Sequence, residues 1–163
     1  MLDIRNATLQ DLDQIASLEA ACFPEKEAAD KDTLYHRLMM YPNHFWLLER
    51  DGQLVAMVDG PVVDEDKLTD EMYADPSFHD ESGPYQMIFG LMTRPDMRKK
   101  GYASILLKEV LKDCREDSRK AVILTCKEER IPYYENLGFT NEGLSDSVHG
   151  DEKWYQMRHD LNE

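Results

Sequence analysis

The run Arg98-Lys99-Lys100-Gly101-Tyr102-Ala103 places three cations directly before a glycine in a chain that is otherwise acidic. Apolar residues recur at helical spacing from Tyr102 to Cys114, so a helix is predicted to open at Gly101. Such a helix end carries unpaired backbone N–H groups and about half a positive charge, which makes it an anion site. Gly101 and the small Ala103 let backbone approach a ligand closely. Arg98 and Lys99 add charge, and Ser104 adds a hydroxyl donor. The chemistry that suits these residues is the grip of a pyrophosphate or similar anion without a metal. It is not a P-loop, because no Gly-Lys-Ser/Thr follows a glycine at the required spacing. The dinucleotide pattern G-x-G-x-x-G is also absent.

Other reactive side chains are scattered. His149 can act as a base at neutral pH, although Gly150 and Asp151 beside it also suit an idle exposed loop. His36, His44, His79 and His159 lack metal-ligand spacing, so no metal is expected. Cys22, Cys114 and Cys126 form no C-x-x-C pair and are expected to be reduced, buried thiols. Phe23, Tyr35, Phe78 and Trp154 suit either the lining of a hydrophobic pocket or the core.

The elements that must position these groups follow from patterning. Leu2-Asp3-Ile4-Arg5 alternates like a strand. Thr8 and Asp11 approximate a capping box ahead of Leu12, Ile15, Leu18 and Cys22 at helical spacing. A second helix is predicted from Asp32 to Met40, ending before Pro42. Phe45–Arg50 and Leu54–Val58 flank Asp51-Gly52, a hairpin turn. The acidic stretch from Pro61 to Pro84 reads as an excursion with one short helix from Lys67 to Tyr73. Tyr85 to Met92 is predicted as one strand, and Ala121 to Cys126 as a strand covered on both faces. A short helix from Ile131 to Leu137 stops at Gly138. Phe139–Gly143 and Lys153–His159 are the last strands. This order predicts an α/β fold of mixed strand direction.

The 163 residues are the length of one domain able to close its own core. No stretch approaches the roughly 20 apolar residues needed to cross a bilayer. Met1-Leu2-Asp3-Ile4-Arg5 lacks the apolar core of a signal peptide, so a cytosolic protein is expected. A net charge of −14 argues against nucleic acid as a partner. It would favour a cationic small molecule such as an amine, or simply maintain solubility.

In context, Arg98-x-x-Gly101-x-Ala103 resembles the (Q/R)-x-x-G-x-(G/A) signature of the GNAT superfamily of N-acetyltransferases. The initial strand and helices, and Tyr134-x-x-x-Gly138-Phe139, extend the resemblance over nearly the whole chain. It implies a single GNAT domain over residues 1–163: a mixed central sheet flanked by helices, with splayed strands forming an acetyl-coenzyme A cleft. The backbone of Leu91, Met92 and Thr93 would pair with the pantetheine arm. Arg98, Lys99, Lys100, Gly101, Tyr102, Ala103 and Ser104 would hold the pyrophosphate, and Thr125 would complete the coenzyme contacts.

A narrower resemblance links Phe45–Gly60, Asp64–Thr69, Cys126–Gly138 and Ser145–Gly150, with Trp154 and Met157, to the arylalkylamine (serotonin-type) N-acetyltransferases and their microbial relatives. It implies acetyl transfer from acetyl-coenzyme A to a small primary amine, arylalkylamine or polyamine-like, by direct attack in a ternary complex. Tyr134 would protonate the leaving thiolate, as an unperturbed phenol pKa of about 10 leaves it protonated. A glutamate in the loop after the first helix, Glu27 or else Glu25, would be the base. Phe23, Ser145, Ser147 and His149 would meet the acceptor. The two histidines of the vertebrate enzymes are replaced by Met87 and Phe89. Alternative expectations are a peptide or protein N-acetyltransferase and a coenzyme A-binding module without turnover. The chain is expected to be a monomer or homodimer, away from membranes and nucleic acid.

Overall fold

A computed structural model describes residues 1–161. Nine strands and five α-helices alternate along these residues: β1 (Leu2–Asn6), α1 (Leu12–Cys22), α2 (Lys31–Met40), β2 (Phe45–Arg50), β3 (Gln53–Asp59), β4 (Val62–Val63), α3 (Asp70–Ala74), β5 (Tyr85–Ile88), β6 (Gly90–Thr93), α4 (Tyr102–Glu116), β7 (Ala121–Cys126), α5 (Ile131–Asn136), β8 (Thr140–Leu144) and β9 (Tyr155–Asp160). They form two compact units, one of Met1–Gly60 with Gly90–Val110, the other of Pro61–Phe89 with Leu111 onward.

The first unit contains an antiparallel sheet in the order β1-β2-β3-β6. The β2–β3 hairpin turns through Asp51 (φ 51°) and Gly52 (φ 82°), the two successive left-handed residues that a tight hairpin needs. Ile15 and Leu18 of α1 and Leu34 and Leu38 of α2 pack with Phe45, Leu47, Met57 and Met92 of the sheet. Each such side chain, fully buried, contributes about 1.5–3 kcal/mol. The α1 entry is held by Asp11, whose Oδ2 accepts the Thr8 N–H at 2.8 Å and whose carboxylate also takes two Arg5 bonds at 2.7 and 2.9 Å. Asp30 caps α2 by accepting the Thr33 N–H at 2.8 Å.

The second unit contains a mixed sheet, β4-β5-β7-β9-β8, in which β5 and β7 are parallel and the other pairs antiparallel. Val122, Ile123 and Leu124 are buried on both faces of β7, as its nearly continuous apolar run predicts. Met72 of α3 joins Val63, Leu68, Met87 and Ile123 in the core.

The expected α/β fold of mixed strand direction is present, its strands divided between the two sheets. Two elements differ from expectation. The predicted strand from Tyr85 to Met92 is two strands, broken at Phe89: β5 pairs with β4 and β7, β6 with β3. An apolar run shows that a segment is buried but not which neighbour it pairs with; Gly90, beside the break, is the mark it leaves in the sequence. The helix expected from Lys67 to Tyr73 is α3, shorter and shifted to Asp70–Ala74.

Candidate active site

In the first unit, β6 is an edge strand of its sheet. The Arg94 N–H donates to Val55 O at 2.8 Å, and Met92 and Gly90 lie opposite Met57 and Asp59. Antiparallel alternation then turns the backbone groups of Met92 toward β3 and those of Leu91 and Thr93 away from it. The Thr93 carbonyl accordingly accepts from Cys22 Sγ at 3.2 Å and from Arg98 Nε at 3.3 Å. An outward edge of this kind can pair with an extended, amide-bearing ligand.

The turn that follows runs through two left-handed residues, Lys99 (φ 65°) and Gly101 (φ 82°). A methyl group added to Gly101 would meet nothing within 4 Å, so its φ, not crowding by protein, calls for glycine. The first bond of α4 in this turn is Ile105 N–H to Gly101 O at 3.1 Å, and the helix amides ahead of it face the turn. Arg98, Lys99 and Lys100 are exposed around it, and Ala103 and Ser104 are half-buried. Tyr102 differs from expectation in its side chain, which is buried with its hydroxyl accepting from Arg50 Nη1 at 3.1 Å. Only the Tyr102 backbone can serve an anion.

Glu27 is buried in the loop between α1 and α2, its N–H donating to Pro24 O at 2.8 Å. Phe23 ends α1 in extended conformation before Pro24, and its ring packs against the core of this unit. A Cβ on Gly90 would lie 3.5 Å from Phe23 Cε2 and 3.4 Å from Asp59 Oδ1. Asp59 belongs to a buried charged group that sequence reading missed, with Glu19 of α1 and Arg37 of α2. Arg37 Nη1 lies 3.5 Å from Asp59 Oδ2, and Glu19 Oε2 accepts the Ala29 N–H at 2.9 Å. Burial raises both carboxyl pKa values, and the charge of Asp59 raises Glu19 further; Arg37 opposes the rise in both.

In the second unit, Tyr134 sits in α5, which ends where Gly138 (φ 92°) lets the Phe139 N–H turn back to Tyr134 O at 3.0 Å. Its ring lies edge-on to Phe139 at 5.7 Å. Burial holds the phenol above the ordinary tyrosine range; Arg130 lowers it, whereas Cys126 and Tyr133 raise it. Tyr134 therefore keeps its proton at neutral pH.

The same unit builds an aromatic column. Phe89 stacks on Tyr73 at 4.4 Å, Tyr73 on His149 at 4.5 Å, and Trp154 lies tilted 6.1 Å from His149. The Lys127 ammonium sits 5.6 Å from the Trp154 ring centre. Asp70, at the start of α3, fixes the loop that carries His149: it accepts from Ser147 Oγ at 2.5 Å and from the Val148 N–H at 3.0 Å. Ser145 Oγ accepts the Ser147 N–H at 3.1 Å. Both serine hydroxyls thus shape the loop, and Ser147 is buried. Thr125 Oγ1 lies 3.5 Å from the Tyr73 hydroxyl.

Of the aromatics singled out in sequence, Trp154 joins the column, while Tyr35 and Phe78 are exposed. Tyr73 and Asp70 were missed because they lie in an acidic excursion without clear periodicity, and Phe89 because it sits in a mostly apolar strand pattern, where an aromatic reads as core. Met87 is fully buried in the core.

The sequence profile of the acetyltransferase (GNAT) family matches residues 12–139. The serotonin N-acetyltransferase of Mesocricetus auratus is 26% identical over 113 residues, which cover 69% of this chain and 53% of that protein. The chain thus aligns with about half the length of that relative. A Bacillus subtilis (strain 168) protein provisionally named ribosomal protein bS18-alanine N-acetyltransferase is 22% identical, over 91% of this chain and 87% of its own. Among solved structures, the GphF GNAT-like decarboxylase in complex with isobutyryl-CoA has the same fold, with a TM-score of 0.85 at 22% identity, covering 98% of this chain and 100% of that one. No helix among the described residues is long and apolar enough to cross a membrane.

Proposed function

Since the chain belongs to the acetyltransferase (GNAT) family, we propose that it acts as one GNAT domain and transfers acetyl from acetyl-coenzyme A to a small primary amine, arylalkylamine or polyamine-like. The aromatic column of Phe89, Tyr73, His149 and Trp154 carries this choice of acceptor. Stacked rings offer an apolar wall to an aryl or alkyl body, and their faces attract a cation. Lys127 over Trp154 already occupies such a position. The similarity to a protein named serotonin N-acetyltransferase points the same way.

In this reading the outward backbone of Leu91 and Thr93, flanking Met92, pairs with the pantetheine arm. Arg98, Lys99, Lys100 and the amides from Gly101 to Ser104 hold the pyrophosphate, and Thr125 adds a coenzyme contact. Phe23 and His149 meet the acceptor, and Ser145 and Ser147 hold the loop of His149 in place. An ammonium must first lose a proton, to Glu27 or to another carboxylate near Phe23. The neutral nitrogen then attacks the thioester carbon, the C–S bond breaks, and Tyr134 gives its phenol proton to the thiolate. The surplus proton on the amide nitrogen restores the phenol. No covalent enzyme intermediate is required.

The test is release of free thiol from acetyl-coenzyme A with arylalkylamines, polyamines and alanine-ended peptides in parallel. Turnover with the small amines, at kcat/KM well above the peptides, is the expected result. Preference for the peptides would replace this reading with a protein N-acetyltransferase, the activity in the name of the Bacillus relative. Coenzyme binding without turnover on any acceptor would leave only a binding module.

A further inference from the structure

Glu19, Arg37 and Asp59 are 5%, 4% and 1% exposed, so two carboxylates and one guanidinium share the interior of the first unit. An ion pair between Arg37 and Asp59 needs one acid; the second leaves the ionised group with a net charge of −1 where burial makes charge costly. The Arg37–Asp59 contact, at 3.5 Å, is also longer than the roughly 2.7–2.9 Å of a tight charge-assisted bond. Asp59 Oδ1 is buried without a hydrogen-bond partner among the described residues. A Cβ on Gly90 would lie 3.4 Å from that oxygen and 3.5 Å from Phe23 Cε2, with the flexible Met92 Cε nearer still at 2.7 Å. An apolar packing role explains neither the second acid nor the unsatisfied oxygen.

We propose that the Glu19–Asp59 carboxylate pair, held by Arg37, is the base that takes the acceptor's ammonium proton, with Asp59 Oδ1 as the receiving atom and Glu19 as the residue that tunes it. This rests on the amine acetyltransferase reading above and names its base in preference to Glu27. The N–H bond of the ammonium breaks and its electron pair stays on nitrogen as the attacking lone pair. The proton joins Asp59 Oδ1, and the three-residue group passes from a net charge of −1 to neutral. After transfer the proton returns to solvent. The titratable neighbours are Glu19 and Cys22 of α1, Arg37 and Tyr41 at the end of α2, and Asp59 of β3; Arg98 faces Cys22. The raised carboxyl pKa values suit a group that must accept a proton near neutral pH.

The experiment combines pH profiles of kcat/KM for thiol release with infrared titration of the carboxylates in the acceptor-free protein. Asp59→Asn is expected to lower kcat 100-fold or more with coenzyme affinity unchanged, and to recover rate as pH approaches the amine's own pKa. Glu19→Gln removes a negative charge beside Asp59, so the acidic limb should move to lower pH. Glu27→Gln should leave that limb in place. The infrared titration should show two carboxyls protonating above the ordinary range, one of them lost in each of the first two variants. A limb displaced only by Glu27→Gln, or one unmoved by Glu19→Gln in a folded protein with normal coenzyme affinity, would overturn the proposal. Raised carboxyls in a wild-type protein that turns over no amine would refute the amine reading, and with it the base, while confirming the pair's electrostatics.

Discussion

Tyr134 and Asp59, the acid and the base proposed above, differ in how far the sequence reveals them. Tyr134 was legible in the chain because its partners are local: Gly138 ends its helix and Phe139 braces its ring, all within one short motif. Tyr134→Phe removes only the hydroxyl from a ring whose packing is unchanged. The expected outcome is a kcat reduced about 10²-fold or more, the usual range for a general acid, with the dissociation constant for coenzyme A unaltered. Because burial raises the phenol pKa, wild-type activity should show no loss from tyrosine ionisation between neutral pH and the ordinary tyrosine value. Equal rates for the two proteins would remove Tyr134 as the acid. Asp59 was not legible. It ends a strand whose pattern reads simply as buried, and its meaning comes from Glu19 and Arg37 on separate helices.

At the scale of elements, the start of α1 was well read. Thr8 and Asp11 approach a capping box in sequence, and in the structure Asp11 also receives Arg5 from β1. The Arg5 hydrogen bonds are the largest cause that lowers the Asp11 pKa, to about 2. A carboxyl depressed in the folded state stabilises it above its unfolded pKa, and that stability is lost as pH falls through the folded value. For Asp11 the window runs from 3.8 down to about 2. Asp11→Asn should therefore cost about 1–2 kcal/mol at neutral pH, allowing for solvent screening of the partly exposed Arg5. It should also flatten the acid limb of the stability curve, measured by urea unfolding at stepped pH. An unchanged midpoint at pH 7 would mean that the bond contributes nothing net. Elsewhere, sequence placed a strand correctly but not its continuity. The run from Tyr85 to Met92 is mostly apolar, with Gln86 and Gly90 as exceptions, yet Phe89 divides it between two sheets and stacks on Tyr73.

For the molecule as a whole, the net charge of −14 and the basic run from Arg98 to Lys100 pull in opposite directions. A cationic acceptor is attracted by the general field, whereas the polyphosphate of the coenzyme is repelled by it and drawn to the local turn. Added salt screens each of these effects. KM for a charged amine should rise several-fold with ionic strength, while coenzyme affinity changes less because its two contributions oppose. An amine KM insensitive to salt would reduce the acidic surface to a solubility device. Sequence alone determined the order of elements, the hairpin at Asp51-Gly52, the glycine turn ahead of α4 and the family resemblance of Tyr134. Each is set by neighbours within a few residues, where spacing and backbone preference decide. The tertiary structure alone decided the division into two sheets, the outward edge of β6, the aromatic column and the Glu19–Arg37–Asp59 group. These depend on which distant segments pack together and on what burial does to charge, and residue spacing along a chain encodes neither.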